Sequence, residues 1–144
     1  MNTFTTELTV RVTDINYGGH LGTDRVLALF HEARVRFLKA LELSEKDIGD
    51  GVSLTQTEAL VQYKGEAFLG DSLTCVVWID QFGGIRFRMC YELLQAVTGK
   101  LIASGYTDLA GFDYRTHKLK RLPLSFKEKA GRFIKEVPAL RIES

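Results

Sequence analysis

Apolar and polar residues alternate from position 7 to 13, with Leu8, Val10 and Val12 set between Glu7, Thr9, Arg11 and Thr13. A period of two predicts a strand with one buried face. It runs into Asp14-Ile15-Asn16-Tyr17-Gly18-Gly19-His20-Leu21-Gly22, a stretch too rich in glycine for regular structure. Beyond this loop the pattern changes. Val26, Phe30, Ala33, Phe37 and Leu41 follow one another in steps of four, three, four and four. That spacing predicts a single apolar stripe on a helix of about 18 residues. Thr23 stands where an N-cap is expected, and Asp24 in the first turn complements the helix dipole. Asp24 and His31 fall on the side of the wheel away from the stripe.

The second half reads as strands. Residues 58–64, 72–80, 85–93 and 101–109 carry strand-like patterns, separated by turn residues such as Gly83-Gly84. Matching apolar faces across the middle hairpin pairs Val77 with Phe87, Ile79 with Ile85 and Cys75 with Met89. The same register sets Trp78 opposite Arg86, a cation–π arrangement, and turns Cys90 to the other face from Cys75. Residues 119–123 predict a short edge strand, which tolerates Pro123. Ser125 is the expected cap of a last short helix that buries Phe126, Ala130 and Phe133 on one side. A strand, a long helix and then antiparallel strands make an α+β layer, with a sheet wrapped on one apolar helix. Sheet edges in such a layer are open, and dimer pairing would close them.

Composition narrows the field. The chain has 144 residues, enough for one domain over 1–144, with no repeat or linker. Its 19 Lys and Arg against 18 Asp and Glu leave a net charge of +1, so no overall field draws it to nucleic acid or an acidic membrane. No apolar run is long enough to span a membrane, and residues 1–7 lack the pattern of a signal peptide. Two cysteines, Cys75 and Cys90, are too few for a disulfide framework and suit a cytoplasmic protein. His20, His31 and His117 form no metal-ligand pattern, and no nucleophile elbow or phosphate loop is present.

The order of short motifs resembles the hot-dog-fold thioesterases, in particular the 4-hydroxybenzoyl-CoA thioesterase-like branch. That branch has Asp-x-Asp-x-x-Gly-His-x-Asn-Asn ahead of a long helix ending near Glu-Ala-Arg. The matching residues are Asp14, Asn16, Gly19, His20, Gly22 and Thr23, then Glu32-Ala33-Arg34. Gly70-Asp71, Ala103-Ser104-Gly105-Tyr106-Thr107 and the turn leading to Pro123 extend the likeness over most of the chain. The resemblance implies a hot-dog fold, with one long helix wrapped by a curved antiparallel sheet of five or six strands. It implies homodimers joined edge to edge, or dimers of dimers, and an active site at the dimer interface near the start of the helix. It also implies an acyl-CoA substrate, or less often an acyl-carrier-protein thioester. Two departures stand out. The second Asp, the residue most often given the catalytic role in the branch, is Asn16 here, and the two Asn residues are Gly22 and Thr23.

Thioester hydrolysis needs a donor set for the carbonyl oxygen and a group to activate water. Backbone N–H groups at a helix start supply the first, and a carboxylate the second. No metal or redox cofactor is required, and CoA enters only as part of the substrate. Asp24 is the first choice for general base or nucleophile, and Asp14 is the alternative. Asn16 cannot accept a proton, so it either orients water or carbonyl or simply forms the turn. His20 either bonds the substrate carbonyl or holds the loop. Tyr17, Gly19, Gly22 and Thr23 complete the expected substrate contacts at the loop. Lys64, Arg86, Arg88 and Lys118 are candidates for the CoA phosphates, the last within a basic run of Arg115, His117, Lys118, Lys120 and Arg121. The leading expectation is acyl-CoA hydrolysis. A non-catalytic acyl-CoA or acyl-carrier binding module is the alternative, and a hydratase using His20 and Glu32 ranks last.

Overall fold

The computed structural model describes residues 2–135. Its strands are β1 (Phe4–Thr9), β2 (Ser53–Tyr63), β3 (Ser72–Asp80), β4 (Arg86–Gln95), β5 (Leu101–Asp113) and β6 (Lys118–Lys120). All pair antiparallel in one sheet, in the order β1-β3-β4-β5-β2, with β6 added to the end of β5. The helices are α1 (Thr23–Ala40) and the short α2 (Leu124–Ala130). This is the α+β hot-dog arrangement expected from the motifs.

The apolar stripe explains the packing. Val26, Phe30, Ala33 and Phe37 are buried against the inner face of the sheet, where Cys75, Val77, Met89 and Tyr91 point. Phe30 stacks flat on the Tyr91 ring, with centroids 4.5 Å apart and planes 4° apart. Phe37 meets Phe4 and Phe133 edge-on, at 5.6 and 5.0 Å. Each such aromatic ring removes apolar area worth about 1.5–3 kcal/mol from water. The helix is therefore held by tertiary burial more than by local propensity.

Several boundaries differ from the periodic reading, each for a local reason. β1 stops at Thr9, because its partner β3 starts at the paired Ser72. Residues Val12–Asp14 instead form a 3-10 turn that leaves Val12 exposed. The N-cap of α1 is Gly22, and Thr23 is the first helical residue. β2 begins at Ser53, because a bulge between Gln56 and Glu58 breaks the period of two and hides its first half. The β3–β4 register is shifted by four residues from the one expected: Trp78 faces Cys90, Ile79 faces Met89 and Cys75 faces Leu93. The connection 81–85 takes up the extra length, with Gln81 at a φ of 55°. An even shift keeps every side chain on its expected face, but it separates Trp78 from Arg86. Lys135 Nζ takes the cationic position over the Trp78 ring, at 4.6 Å. β6 is only Lys118–Lys120. Pro123, not Ser125, caps α2.

Cys75 and Cys90 lie on opposite faces and form no disulfide. Burial pushes the Cys75 thiol up to about 12. Gly105 in the Ala-x-Gly strand is required by packing, since a Cβ there would run into the Leu60 carbonyl of β2. Among the described residues no helix is long and apolar enough to cross a membrane.

Two features position the site. The outer edge of β2 has no strand partner among the described residues, and Leu60 and Tyr63 on it are 41% and 53% exposed. The start of α1 lies beside the far end of that strand, where the Tyr63 hydroxyl donates to the Thr23 carbonyl at 3.0 Å.

Candidate active site

The glycine loop closes on itself ahead of α1. Ile15 and Leu21 form an antiparallel bridge, and Asn16 N–H donates to the His20 carbonyl at 2.9 Å. Leu21 N–H donates to Ala67, which ties the loop to the segment between β2 and β3. Asn16 Oδ1 accepts from the backbone N–H groups of Gly18, at 2.9 Å, and His20, at 3.4 Å. Its oxygen is thus committed to the turn, and only the amide nitrogen is left to face a ligand, as a donor. Gly19 sits at a φ of 88°, which a glycine adopts without strain.

Gly22 offers no side chain to cap α1. Arg25 N–H donates back to the Gly22 carbonyl at 3.0 Å, so it is the N–H groups of Thr23 and Asp24 that precede any intrahelical acceptor and keep their partial positive charge. Asp24 is exposed on this first turn. Its Oδ1 lies 2.5 Å from where a Cβ on Gly22 would stand. A side chain at 22 would collide with the carboxylate, so glycine is what lets Asp24 fold back over the helix start. Thr23 is exposed beside it, and Tyr17 projects fully from the loop.

Asp14 has a different environment. It is only 1% exposed, and its Oδ2 accepts from Arg11 N–H at 2.9 Å and faces Arg11 Nε at 3.5 Å. Arg25 Nε stands 3.6 Å from its Oδ1. Both oxygens are turned into the fold beneath the loop, where Asp14 anchors the 3-10 turn. His20 is half-buried, with its ring edge-on to Phe68 at 6.4 Å and its Nε2 3.7 Å from Glu66 Oε2. Glu66 is a carboxylate near the loop that no periodic or motif signal in the chain marks. It is brought there by a bridge between His20 and Phe68, residues far apart in the chain. Glu32, the acid of the hydratase reading, is instead engaged by Arg36 Nη2 one turn along α1.

The basic candidates do not gather around this helix start. Lys64 follows Tyr63 at the near end of the sheet. Arg86 pairs with Ala110, and Lys118 with Asp113. Along β5, Ala110 and Asp113 lie roughly 23 and 33 Å from Ala103, the residue opposite Tyr63. Arg88 is on the outer face of the sheet, doubly bonded to Asp108 at 2.8 and 3.1 Å and stacked over Tyr106 at 3.6 Å. The pair raises the guanidinium above its ordinary value through the Asp108 bonds. Arg88 lines a cavity of about 480 Å³ on that face with Trp78, Asp80 and Lys64.

A second polar cluster sits deeper. Arg34 is 5% exposed although it occupies a stripe position of α1, four residues after Phe30 and three before Phe37. Its Nε donates to Glu45 Oε2 at 2.6 Å, and its Nη1 donates to Gln56 Oε1, Tyr91 Oη and Thr107 Oγ1 at 3.3, 3.1 and 3.4 Å. His31 Nε2 donates to the other Glu45 oxygen at 3.0 Å. Burial pushes the Glu45 carboxyl up, but the hydrogen bonds from Arg34 and His31 outweigh it and leave the pKa lowered. Burial and the cationic neighbour also oppose each other at Tyr91, where burial wins and the phenol is raised. Arg34 as a side chain on the apolar stripe was the signal for this cluster in the sequence; Glu45, from a polar loop, carried none.

Among the described residues no group of His, Cys, Asp and Glu is placed to hold a metal ion.

Comparison with known proteins places these features in a family. The model of the thioesterase-like superfamily matches residues 10–130. A 1,4-dihydroxy-2-naphthoyl-CoA hydrolase of Synechocystis is 32% identical over 110 residues, which is 74% of this chain and 79% of that protein. The crystal structure of a 1,4-dihydroxy-2-naphthoyl-CoA thioesterase from Synechocystis superposes with a TM-score of 0.82 at 28% identity, covering 90% of this chain and 96% of that one. A Staphylococcus aureus protein solved in complex with CoA shares the fold, with a TM-score of 0.82 at 22% identity over 92% of this chain and 84% of its own.

Proposed function

The chain belongs to the thioesterase-like superfamily, and from that premise we propose that it hydrolyses an acyl-CoA thioester at the start of α1. The observation that carries this reading is the uncapped helix start with the exposed Asp24 carboxylate folded over it. First-turn N–H groups, with the Asn16 amide nitrogen beside them, hold the carbonyl oxygen as charge develops on it. Asp24 takes a proton from water, whose oxygen adds to the carbonyl carbon while the C=O electron pair moves to oxygen. The intermediate then collapses. The C–S bond breaks, its electron pair leaves on the CoA sulfur, and the Asp24 carboxylic acid returns the proton. His20 lines the loop side of this site and Asp14 holds the loop from beneath. No cofactor enters; CoA is part of the substrate.

The active unit in this reading is a homodimer. β2 is eleven residues long, carries only Glu58 as a charge and leaves its outer edge open. An exposed edge of that length pairs with another strand, and a second copy related by a two-fold axis is the self-complementary partner. Antiparallel pairing sets the Ser53 end of one β2 beside the Tyr63 end of the other. The partner's basic turn, with Arg115 and Lys118, then lies toward the helix start that its own chain keeps distant. The two buried thiols fit a reducing, cytoplasmic setting.

Free-thiol release from a panel of short, long and aromatic acyl-CoAs, on wild type and Asp24→Ala, tests the reading. The panel includes hydroxylated aromatic thioesters, the class named for the Synechocystis relative. Turnover lost in Asp24→Ala with the fold intact supports it. Acyl-CoA binding without turnover of any substrate supports the binding-module reading, which the commitment of Asn16 Oδ1 to the turn favours.

A further inference from the structure

The net charge of +1 hides a segregation along the chain. Residues 1–113 carry 10 Lys and Arg against 15 Asp and Glu, whereas residues 120–135 carry six against one, Glu128. The two sets of cations also differ in their surroundings. In the first region Arg11, Arg25, Arg34, Arg36 and Arg88 each face a carboxylate at 2.6 to 3.6 Å. Among the described residues, none of Lys120, Arg121, Lys127, Lys129, Arg132 and Lys135 has a carboxylate in ion-pair range. Lys127, Arg132 and Lys135 lie instead over the rings of Phe82, Phe133 and Trp78, at 6.0, 5.0 and 4.6 Å, and Lys129 donates to the Leu41 carbonyl at the end of α1. Such contacts hold the stems in place and leave the charges uncancelled.

These cations share one end of the molecule. The segment leaves β6 beside β5 and is fixed to the β3–β4 connection, where Leu122 N–H donates to the Gly84 carbonyl at 2.8 Å. It packs α2 on Phe82 and Phe87 through Phe126, and it ends beside β3, where Lys135 N–H donates to the Ile79 carbonyl at 2.9 Å. The result is a cationic band across the end of the fold where α1 terminates, about 27 Å along that helix from its start. Apolar side chains are exposed within the band. Leu124, the first residue of α2, is 72% exposed, and Ile134 is 45% exposed.

We propose that this band is a docking surface for anionic phospholipid, which holds the protein on a membrane face by the end remote from the helix start. A phospholipid surface supplies what both parts of the band lack: phosphates for the unpaired cations, and an interfacial layer for Leu124 and Ile134. A nucleic acid would meet the cations alone, and residues 120–135 expose no aromatic ring on which a base could stack. The near-neutral chain as a whole is no obstacle. At 0.1 M salt charges are screened over about 10 Å, so a surface feels the band nearest to it and not the acidic remainder. The proposal does not depend on the thioesterase reading.

The experiment is sedimentation of the full chain with unilamellar vesicles. Vesicles of phosphatidylcholine alone are compared with vesicles in which a third of the lipid is phosphatidylglycerol. At about 0.1 M salt, binding is expected only to the anionic vesicles, and about 0.5 M salt is expected to release most of it. The triple variant Lys127→Gln, Lys129→Gln and Arg132→Gln keeps much of each stem but removes three charges, and it is expected to weaken partitioning by about a hundredfold. Leu124→Ser is expected to weaken it by about tenfold. Both variants are expected to keep the circular dichroism spectrum of wild type and its turnover of a short-chain acyl-CoA. Binding to neither vesicle, equal binding to both, or binding that the triple variant retains overturns the proposal. So does a DNA duplex or polyglutamate that wild type binds in preference to the anionic vesicles, since the band would then serve a nucleic acid or an acidic protein. Absence of turnover on any acyl-CoA counts against the thioesterase reading and leaves the vesicle result standing.

Discussion

The two polar clusters on α1 are built on opposite principles. At the helix start, Asp24 and Thr23 are exposed, the helix has no side-chain cap, and glycine keeps the space open. Eleven residues on from Thr23, Arg34 is nearly sealed and spends four hydrogen bonds on Glu45, Gln56, Tyr91 and Thr107. Asp14 and Asp24 repeat the contrast at short range: one carboxylate is buried and committed to Arg11, the other is free to meet a ligand. A polar group held on every side mainly shapes the fold, while one with open lone pairs over uncapped donors can act on a bound molecule. The Arg34 cluster lies between these limits, because a cavity of about 300 Å³ borders it.

The sharpest way to break the comparison is to remove Arg34. Arg34→Met keeps the stem and the helix propensity but strands Glu45 and deprives Tyr91, Thr107 and Gln56 of their common donor. Loss of one partner of a buried pair costs up to 3–5 kcal/mol; with Glu45 partly hydrated, a loss of about 3 kcal/mol is expected. The midpoint of denaturant unfolding measures it. The double variant Arg34→Met with Glu45→Gln is expected to recover part of the loss, because no unpaired charge is left behind.

Asp24→Ala sits at the other pole. It removes an exposed carboxylate that makes no hydrogen bond the fold depends on, so stability changes by less than about 1 kcal/mol, the scale of a charge on a helix dipole. Thioester turnover is expected to fall by about 10²–10⁴-fold, the usual contribution of a general base. A large stability loss with modest loss of turnover would reverse the roles assigned to the two clusters.

Acid titration separates the clusters more gently. Glu45 has its pKa lowered in the folded protein from the ordinary 4.5. Its contribution is therefore fully present above that ordinary value and is lost as pH falls through the lower folded value. Unfolding free energy measured across this acidic range is expected to decline, and Glu45→Gln is expected to flatten that part of the curve. The variant should leave the pH dependence at higher pH unchanged.

Much of this fold was legible in the chain, and the reasons differ by element. The stripe from Val26 to Leu41 defined α1 because burial on one helical face leaves a period that nothing interrupts. β3 was readable for the same reason, whereas β2 was half hidden by its bulge at Gln56. The hairpin register failed because hydrophobic matching fixes only parity, and a four-residue slide preserves parity. At the site, the motif residues from Asp14 to Asp24 fall together because they share one loop and one helix turn. Glu45 and Glu66 were not legible, since each reaches its partner through tertiary contacts: Glu45 with Arg34 on the helix, and Glu66 with a histidine of a distant loop. The burial of Asp14 against the exposure of Asp24 was equally hidden, because burial of a short loop carboxylate leaves no mark in composition.

The smallest expected effect comes from Asn16→Asp, and it tests the contrast where the clusters are closest to alike. The oxygen of Asn16 accepts from Gly18 and His20, and a carboxylate oxygen of the same shape accepts both bonds equally well. The loop should keep its form, with stability within about 0.5 kcal/mol of wild type. The change falls instead on the free arm of the side chain, where a donor becomes an acceptor. If the Asn16 nitrogen helps to hold the carbonyl oxygen, the new carboxylate withdraws that donor and adds negative charge near Asp24, so turnover should fall by less than about tenfold while first-turn N–H groups carry on. If the position instead regains a working base, Asn16→Asp combined with Asp24→Ala should recover turnover lost in Asp24→Ala alone. Recovery in the double variant would move the chemistry from the helix turn to the loop. Its absence would leave Asn16 as a turn-former whose one spare group is a donor, with Asp24 as the base.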